Sequence, residues 1–158
     1  PDEQRRSFMK GIKSLLISAV LFASIPALAH DEGHGPKLSD TGKFGGLVSA
    51  IVEKKDAGLG AKAKLQYKAE LVRSPEGKVQ IYVYDAEMKP VDAATWGKKL
   101  TATADPLKKG SKAKTFEATF DGKAFVGQIP EGLTKPFNLD FVFTDKGREL
   151  LSAFDNLD

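Results

Sequence analysis

Short runs in which apolar and polar residues alternate constrain the fold of this chain more than any other feature. Residues 65–71, 79–84 and 137–143 carry an apolar side chain at almost every second position. Because successive side chains of a strand point to opposite faces, this period predicts strands with one buried face. Residues 74–77, Ser-Pro-Glu-Gly, are typical of a turn, so we expect the first two runs to pair as an antiparallel hairpin.

Further strand-like runs complete an all-β pattern. The pair Asp121-Gly122 is a strong hairpin signal because both residues tolerate a positive φ. Spacing of roughly ten residues between runs is typical of an antiparallel Ig-like β-sandwich. We therefore predict such a sandwich, of about six to seven strands, over residues 44–158. The additional strand-like runs lie at residues 46–52, 100–104, 115–120 and 124–129.

The end of the chain has a different pattern. Leu150, Leu151, Phe154 and Leu157 fall at the spacing of one helix face. This spacing predicts a short C-terminal helix, and a last strand is the alternative.

Residues 1–29 have the features of an export signal. Lys10 and Lys13 precede an apolar run that ends at Ala27-Leu28-Ala29, a small-x-small cleavage site. The run is shorter than the roughly 20 residues that span a bilayer. We therefore expect a periplasmic or secreted protein with no stable membrane span once the signal is removed.

Two export routes fit the signal. Residues 4–10, QRRSFMK, resemble the twin-arginine motif, which is an address read by a receptor. If translation starts at Met9, the remaining segment is a complete general secretory signal. The sequence leaves both routes open.

Charge and composition exclude several classes of function. The chain has a formal net charge of +3 and no cysteine. Four basic and two acidic residues lie within residues 1–29, so the exported part is closer to neutral and lacks the basic footprint of a nucleic-acid binder. Without cysteine there is no disulfide scaffold. The predicted domain also lacks histidine, the commonest general base, so we predict that the protein is not an enzyme.

Both histidines lie in residues 30–43, which composition predicts to be a flexible arm. Cleavage after Ala29 would make His30 the N-terminus, where its α-amine and imidazole can chelate one ion. His34 would add a third nitrogen, and Asp31 and Glu32 would add oxygen donors. Imidazole nitrogen suits Cu(II), Zn(II) or Ni(II), bound weakly because the arm must be ordered on binding. The alternative is a polar linker without a metal.

Two other groups of residues have open interpretations. Tyr82 and Tyr84 share one face of their strand, which is either an exposed aromatic patch or is covered by another segment. Asp85, Glu87 and Asp92 form either a hard-cation site or a solvated turn, and the turn is favoured.

The export signal, the arm HDEGHGPK, the GGLV segment and the run AELVRSPEGKVQIYVYDAEMKPVD together carry a family resemblance. Residues 30–92 resemble small periplasmic proteins and the related N-terminal domain of heavy-metal efflux adaptor (membrane-fusion) proteins. The resemblance implies a β-sandwich and an accessory role in handling copper, zinc or nickel, with a transition-metal ion and envelope or efflux proteins as partners. The alternative function is an envelope structural or protein-interaction module with no metal role.

Overall fold

A computed structural model describes residues 35–158 and shows an all-β protein of eight antiparallel strands. Two 3₁₀-helical segments, Lys54–Lys62 and Ala93–Thr95, lie in the connections. No helix among residues 35–158 is long and apolar enough to cross a membrane. The strands are β1 Leu47–Glu53, β2 Tyr67–Arg73, β3 Lys78–Tyr84, β4 Lys99–Pro106, β5 Lys114–Phe120, β6 Phe125–Gln128, β7 Phe137–Asp145 and β8 Arg148–Leu157.

The strands close into one barrel, so the predicted Ig-like β-sandwich is wrong. Their order around the barrel is β1-β2-β3-β6-β5-β4-β7-β8. The last strand pairs with the first, and Ile51 lies opposite Ser152. Alternation reports that one face of each strand is buried, and it does so equally for a sheet packed on another sheet and for a sheet closed on itself. The pairing that distinguishes them joins distant residues and leaves no local signal.

The C-terminal segment is the eighth strand, so the predicted C-terminal helix is also wrong. Leu150 and Phe154 belong to the core inside the barrel. Leu151 does not belong to that core, and it lies opposite Val52 on β1. Asn156 has a φ of 56°, and its backbone N–H donates to Asn138 Oδ1 at 2.9 Å. The register between β7 and β8 shifts near this point. This irregularity returns Leu157 to the inner face after three residues, which imitates helical spacing in the sequence.

Side chains fill the interior of the barrel. Phenylalanines from β6, β7 and β8 meet edge to face, with ring centroids 5.7 Å apart for Phe125 and Phe143 and 5.9 Å apart for Phe141 and Phe154. Fully buried alanines of β4 and β5 leave the space that these rings occupy. Because an eight-stranded barrel is just wide enough for its own side chains, the interior is a packed core and the candidate site lies outside it.

The loops divide between two ends of the barrel. The helical end carries the 3₁₀ segment Lys54–Lys62 and the turn between β7 and β8. The hairpin end carries the turn between β2 and β3, the β4–β5 loop and the β6–β7 loop.

Candidate functional site

Residues 35–46, here called the N-terminal strap, lie along the outer wall of β1 and β2. The Gly35 backbone N–H donates to the Gly60 carbonyl at 2.8 Å, which fixes the start of the strap at the helical end. A Cβ on Gly35 would come within 2.7 Å of Val52 and 2.9 Å of Ala50, so the backbone itself rests on β1. Leu38 packs on these two residues in a small second core. The described part of the predicted arm is therefore attached to the barrel.

Glu70 is the residue on which the strap closes. Its neighbours Ala69 and Leu71 point into the core, so Glu70 points outward, yet it is 0% exposed. The strap covers it and supplies two hydrogen bonds, from the Phe44 N–H at 2.9 Å and the Gly46 N–H at 2.8 Å to Oε2. A buried carboxylate is costly unless such donors replace the lost water.

The remaining oxygen of Glu70 is bonded to β3. The Tyr84 hydroxyl donates to Glu70 Oε1 at 2.7 Å, inside the wall. Burial raises the pKa of the Tyr84 phenol, and the hydrogen bond to Glu70 and the charge of Glu70 raise it further. A raised pKa keeps the phenol protonated, so Tyr84 remains a donor to Glu70.

A second polar contact fastens the middle of the strap. Lys68 lies two residues before Glu70 on the same face of β2, and its ammonium is 2.8 Å from Asp40 Oδ2. The Lys68 side chain is only 9% exposed. The strap is therefore held at three levels, by the backbone bond of Gly35, the ion pair of Asp40 and the hydrogen bonds to Glu70.

The glycines that open β1 are required by this close packing. A Cβ on Gly46 would overlap the Leu71 carbonyl oxygen and approach Glu70 Cγ to 2.9 Å. Gly45 has a φ of +73°, a left-handed conformation that glycine adopts without strain. The GGLV motif is thus the bend by which the strap turns into β1.

An aromatic groove of about 560 Å³ lies beside the strap. Phe44 is 58% exposed and stacks on Tyr82, with ring centroids 4.2 Å apart. The Lys43 ammonium lies 5.7 Å from the centroid of the Tyr84 ring, within cation–π range. Of the two open interpretations of Tyr82 and Tyr84, the structure therefore shows coverage by another segment, the strap. The rest of the lining consists of Val83, Pro90, Val91, Asp92, Phe120, Gly122 and Lys123.

The groove has the size and lining of a small-ligand site. Its volume falls in the range of small-ligand sites, and aromatic rings and lysines line it. Asp92 accepts a hydrogen bond from the Ala94 N–H, and Asp121 accepts two from the Lys123 and Ala124 N–H groups. These nearby carboxylates are therefore engaged in capping and turn formation.

The predicted metal residues His30, Asp31, Glu32 and His34 all lie outside the described residues. From residue 35 to residue 158, no group of three or more His, Cys, Asp or Glu side chains is arranged to hold a metal ion. Asp85 instead accepts from the Glu87 and Lys89 backbone N–H groups, both at 2.9 Å, as the favoured turn interpretation expects.

The sequence pattern did not reveal the importance of Glu70. In the alternating run of β2, Glu70 occupies the polar position of an ordinary solvent-facing residue. The available signals were the Gly45-Gly46 pair, which marks a close backbone approach, and the tyrosines on the same outer face of β3. Neither signal says which segment covers the face.

Comparisons with protein-family models, with curated proteins and with solved structures found no match to this chain.

Proposed function

We propose that this is an exported, non-enzymatic binding protein that assists transition-metal handling in the periplasm. In this proposal His30, His34, Asp31 and Glu32 contact Cu(II), Zn(II) or Ni(II), and the barrel is the rigid support of that segment. The observation that carries the proposal is the attachment of Gly35, the residue that follows His34, to the barrel wall.

The attachment lowers the cost of forming a site. A histidine pair in a long free arm must order the whole arm when it binds a metal. Here the backbone at Gly35 is already fixed, and only four residues separate His30 from it. Binding then involves only a short segment next to a fixed point, and the strap contacts at Asp40 and Glu70 keep the support in place.

The donor set favours borderline transition metals. After cleavage at Ala29, the terminal amine and imidazole of His30 and the imidazole of His34 would supply three nitrogens, a set that suits Cu(II), Ni(II) and Zn(II). Binding would weaken at low pH because the amine and imidazoles must lose their protons. This accessory role is also what the resemblance to efflux adaptor domains implies, and that resemblance stays a prediction.

Calorimetric titration with Cu(II) and Zn(II) tests the proposal on protein that begins at His30. We expect saturable binding that is tighter than that of free histidine and that is lost in the His30→Ala, His34→Ala double variant. A matched control is the same protein acetylated at the His30 α-amine, which removes that nitrogen as a donor and leaves both imidazoles. Binding that is equal in all three proteins, or no tighter than that of free histidine, would refute the proposal.

The second candidate function is an envelope interaction module with no metal role. The exposed Phe44 ring beside the aromatic groove favours it, because large exposed aromatic side chains are typical of contact surfaces. Under this alternative, Phe44→Ser abolishes pull-down of envelope proteins and the His30, His34 double variant leaves it unchanged. Under the metal proposal, the His30, His34 double variant loses metal binding and Phe44→Ser retains it.

A further inference from the structure

The β4–β5 loop at the hairpin end of the barrel is strongly basic and carries an exposed apolar side chain. Residues 107–114 read LKKGSKAK, with four lysines and no acid. Leu107 is 50% exposed, and Lys108, Lys109 and Lys112 are exposed. We call this segment the basic loop.

The neighbouring β6–β7 loop extends the same surface. The Leu107 N–H donates to the Pro136 carbonyl at 3.0 Å, which places exposed Lys135 next to the basic loop. The Lys114 ammonium donates to the Glu131 backbone carbonyl at 2.7 Å. Glu131 adds one exposed carboxylate to this surface. Asp105, near the end of β4, adds a half-buried one, so the four lysines of the loop and Lys135 still leave an excess of positive charge around Leu107.

At the opposite end of the barrel, lysines of the 3₁₀ segment are paired with carboxylates. Lys54 pairs with Glu149 at 3.2 Å and Lys55 with Glu53 at 3.0 Å, beside Leu59, which is 57% exposed. By contrast, the ammonium groups of the basic loop's three exposed lysines form no ion pair with any residue in the described range 35–158. Both ends therefore combine lysines with an exposed leucine, but the exposed lysines of the basic loop lack the carboxylate partners that Lys54 and Lys55 have.

We propose that the basic loop, with Lys135, docks the protein on the surface of an anionic lipid bilayer. Unpaired lysines near such a surface each gain electrostatic attraction, and an exposed leucine at the same place can enter the boundary of the acyl chains. A polyanion such as a nucleic acid would attract the lysines and leave Leu107 without a partner. The loop also lacks the arginine forks and aromatic platforms that favour nucleic acids. This inference is independent of the metal proposal.

Vesicle co-sedimentation tests the docking surface on the protein that begins at His30. The probes are vesicles of phosphatidylcholine alone and vesicles of equal parts phosphatidylcholine and phosphatidylglycerol. We expect binding to the anionic vesicles only, and strong weakening between about 0.05 M and about 0.5 M NaCl as the charges are screened. Each Lys→Gln substitution at Lys108, Lys109 or Lys112 should lower partitioning about five-fold.

Two variants separate a lipid surface from a general effect of charge. Leu107→Ser leaves the charge intact and should lower partitioning about five-fold, because the apolar contact is lost. The matched control Lys54→Gln removes one positive charge from the helical end, as each single Lys→Gln variant does from the basic loop, and should retain binding. Circular dichroism melting of each variant verifies the fold. The proposal would be overturned by equal binding to both kinds of vesicle or by an equal loss of binding in the control. It would also be overturned if the protein bound a soluble polyanion with an affinity that Leu107→Ser leaves unchanged.

Discussion

Substituting Glu70 tests the structural basis of the strap. Glu70→Ala leaves three donors without an acceptor, the N–H groups of Phe44 and Gly46 and the Tyr84 hydroxyl, at a site that is 0% exposed. Hydrogen bonds to a charged group contribute about 1.5–3 kcal/mol each, and the effects within one network are not additive. We therefore expect Glu70→Ala to lower the free energy of unfolding by about 3–5 kcal/mol, and Tyr84→Phe by about 1–2 kcal/mol.

Urea unfolding followed by circular dichroism measures both losses, and the double variant gives their coupling. Because the two side chains bond directly, the double variant should lose less than the sum of the single variants. Hydrogen exchange of the Phe44 and Gly46 amides should speed up in Glu70→Ala well below the denaturation midpoint, since the strap opens first. Glu117→Ala is the matched control, because Glu117 lies on β5 in an exposed pair with Lys99 and should cost less than about 1 kcal/mol. A Glu70→Ala loss no larger than the Glu117→Ala loss would show that the hydrogen bonds to Glu70 do not hold the strap.

Three further tests use urea unfolding, each with a comparison variant. Gly46→Ala should destabilise the protein by about 1–3 kcal/mol because its Cβ would overlap the Leu71 backbone. Gly58→Ala, whose Cβ would have nothing within 4 Å, should be neutral or slightly stabilising. Equal effects would contradict the close packing of the strap. The raised pKa of Tyr84 means that the folded protein keeps a proton that the unfolded chain loses above pH about 10. Stability should therefore fall as pH rises beyond that value, less steeply in Tyr84→Phe, and identical slopes would count against the buried phenol. Ser152→Ala should stabilise the protein by about 1 kcal/mol because the buried Ser152 hydroxyl has no hydrogen-bond partner among the described residues. Ser49→Ala should destabilise it because the Ser49 hydroxyl loses a 2.7 Å hydrogen bond to a backbone carbonyl. The reverse order of stability would refute this assignment.

Local sequence patterns located the first seven strands, whereas the eighth was missed and about six to seven were expected. The run at residues 79–84 and the turn at residues 74–77 are confirmed as β3 and its hairpin connection to β2. The Asp121-Gly122 turn likewise joins β5 to β6. These features depend on neighbours in sequence, so their signals are local and readable.

Closure of the barrel depends on contacts between distant residues. The Ile51–Ser152 pairing joins the two ends of the chain's sheet, and no local pattern encodes it. The bulge near Asn156 changed the apparent period of β8 and imitated a helix. Glu70 resembled a solvent-facing residue because the strap that buries it comes from a part of the chain whose composition predicts flexibility.

The most direct test of the functional account is Cu(II)-induced broadening of backbone amide signals in the protein that begins at His30. Cu(II) broadens nearby nuclei, and the proposal holds the ion within a few residues of Gly35, whose N–H bonds to the Gly60 carbonyl. At one equivalent of Cu(II), we predict loss of the Gly35, Gly60 and Ala61 signals and unchanged Lys109 and Gly110 signals at the opposite end of the barrel. In the His30→Ala, His34→Ala variant, all of these signals should keep their intensity. Uniform broadening, or selective broadening that persists in the double variant, would contradict a metal site carried by the histidine segment on the barrel.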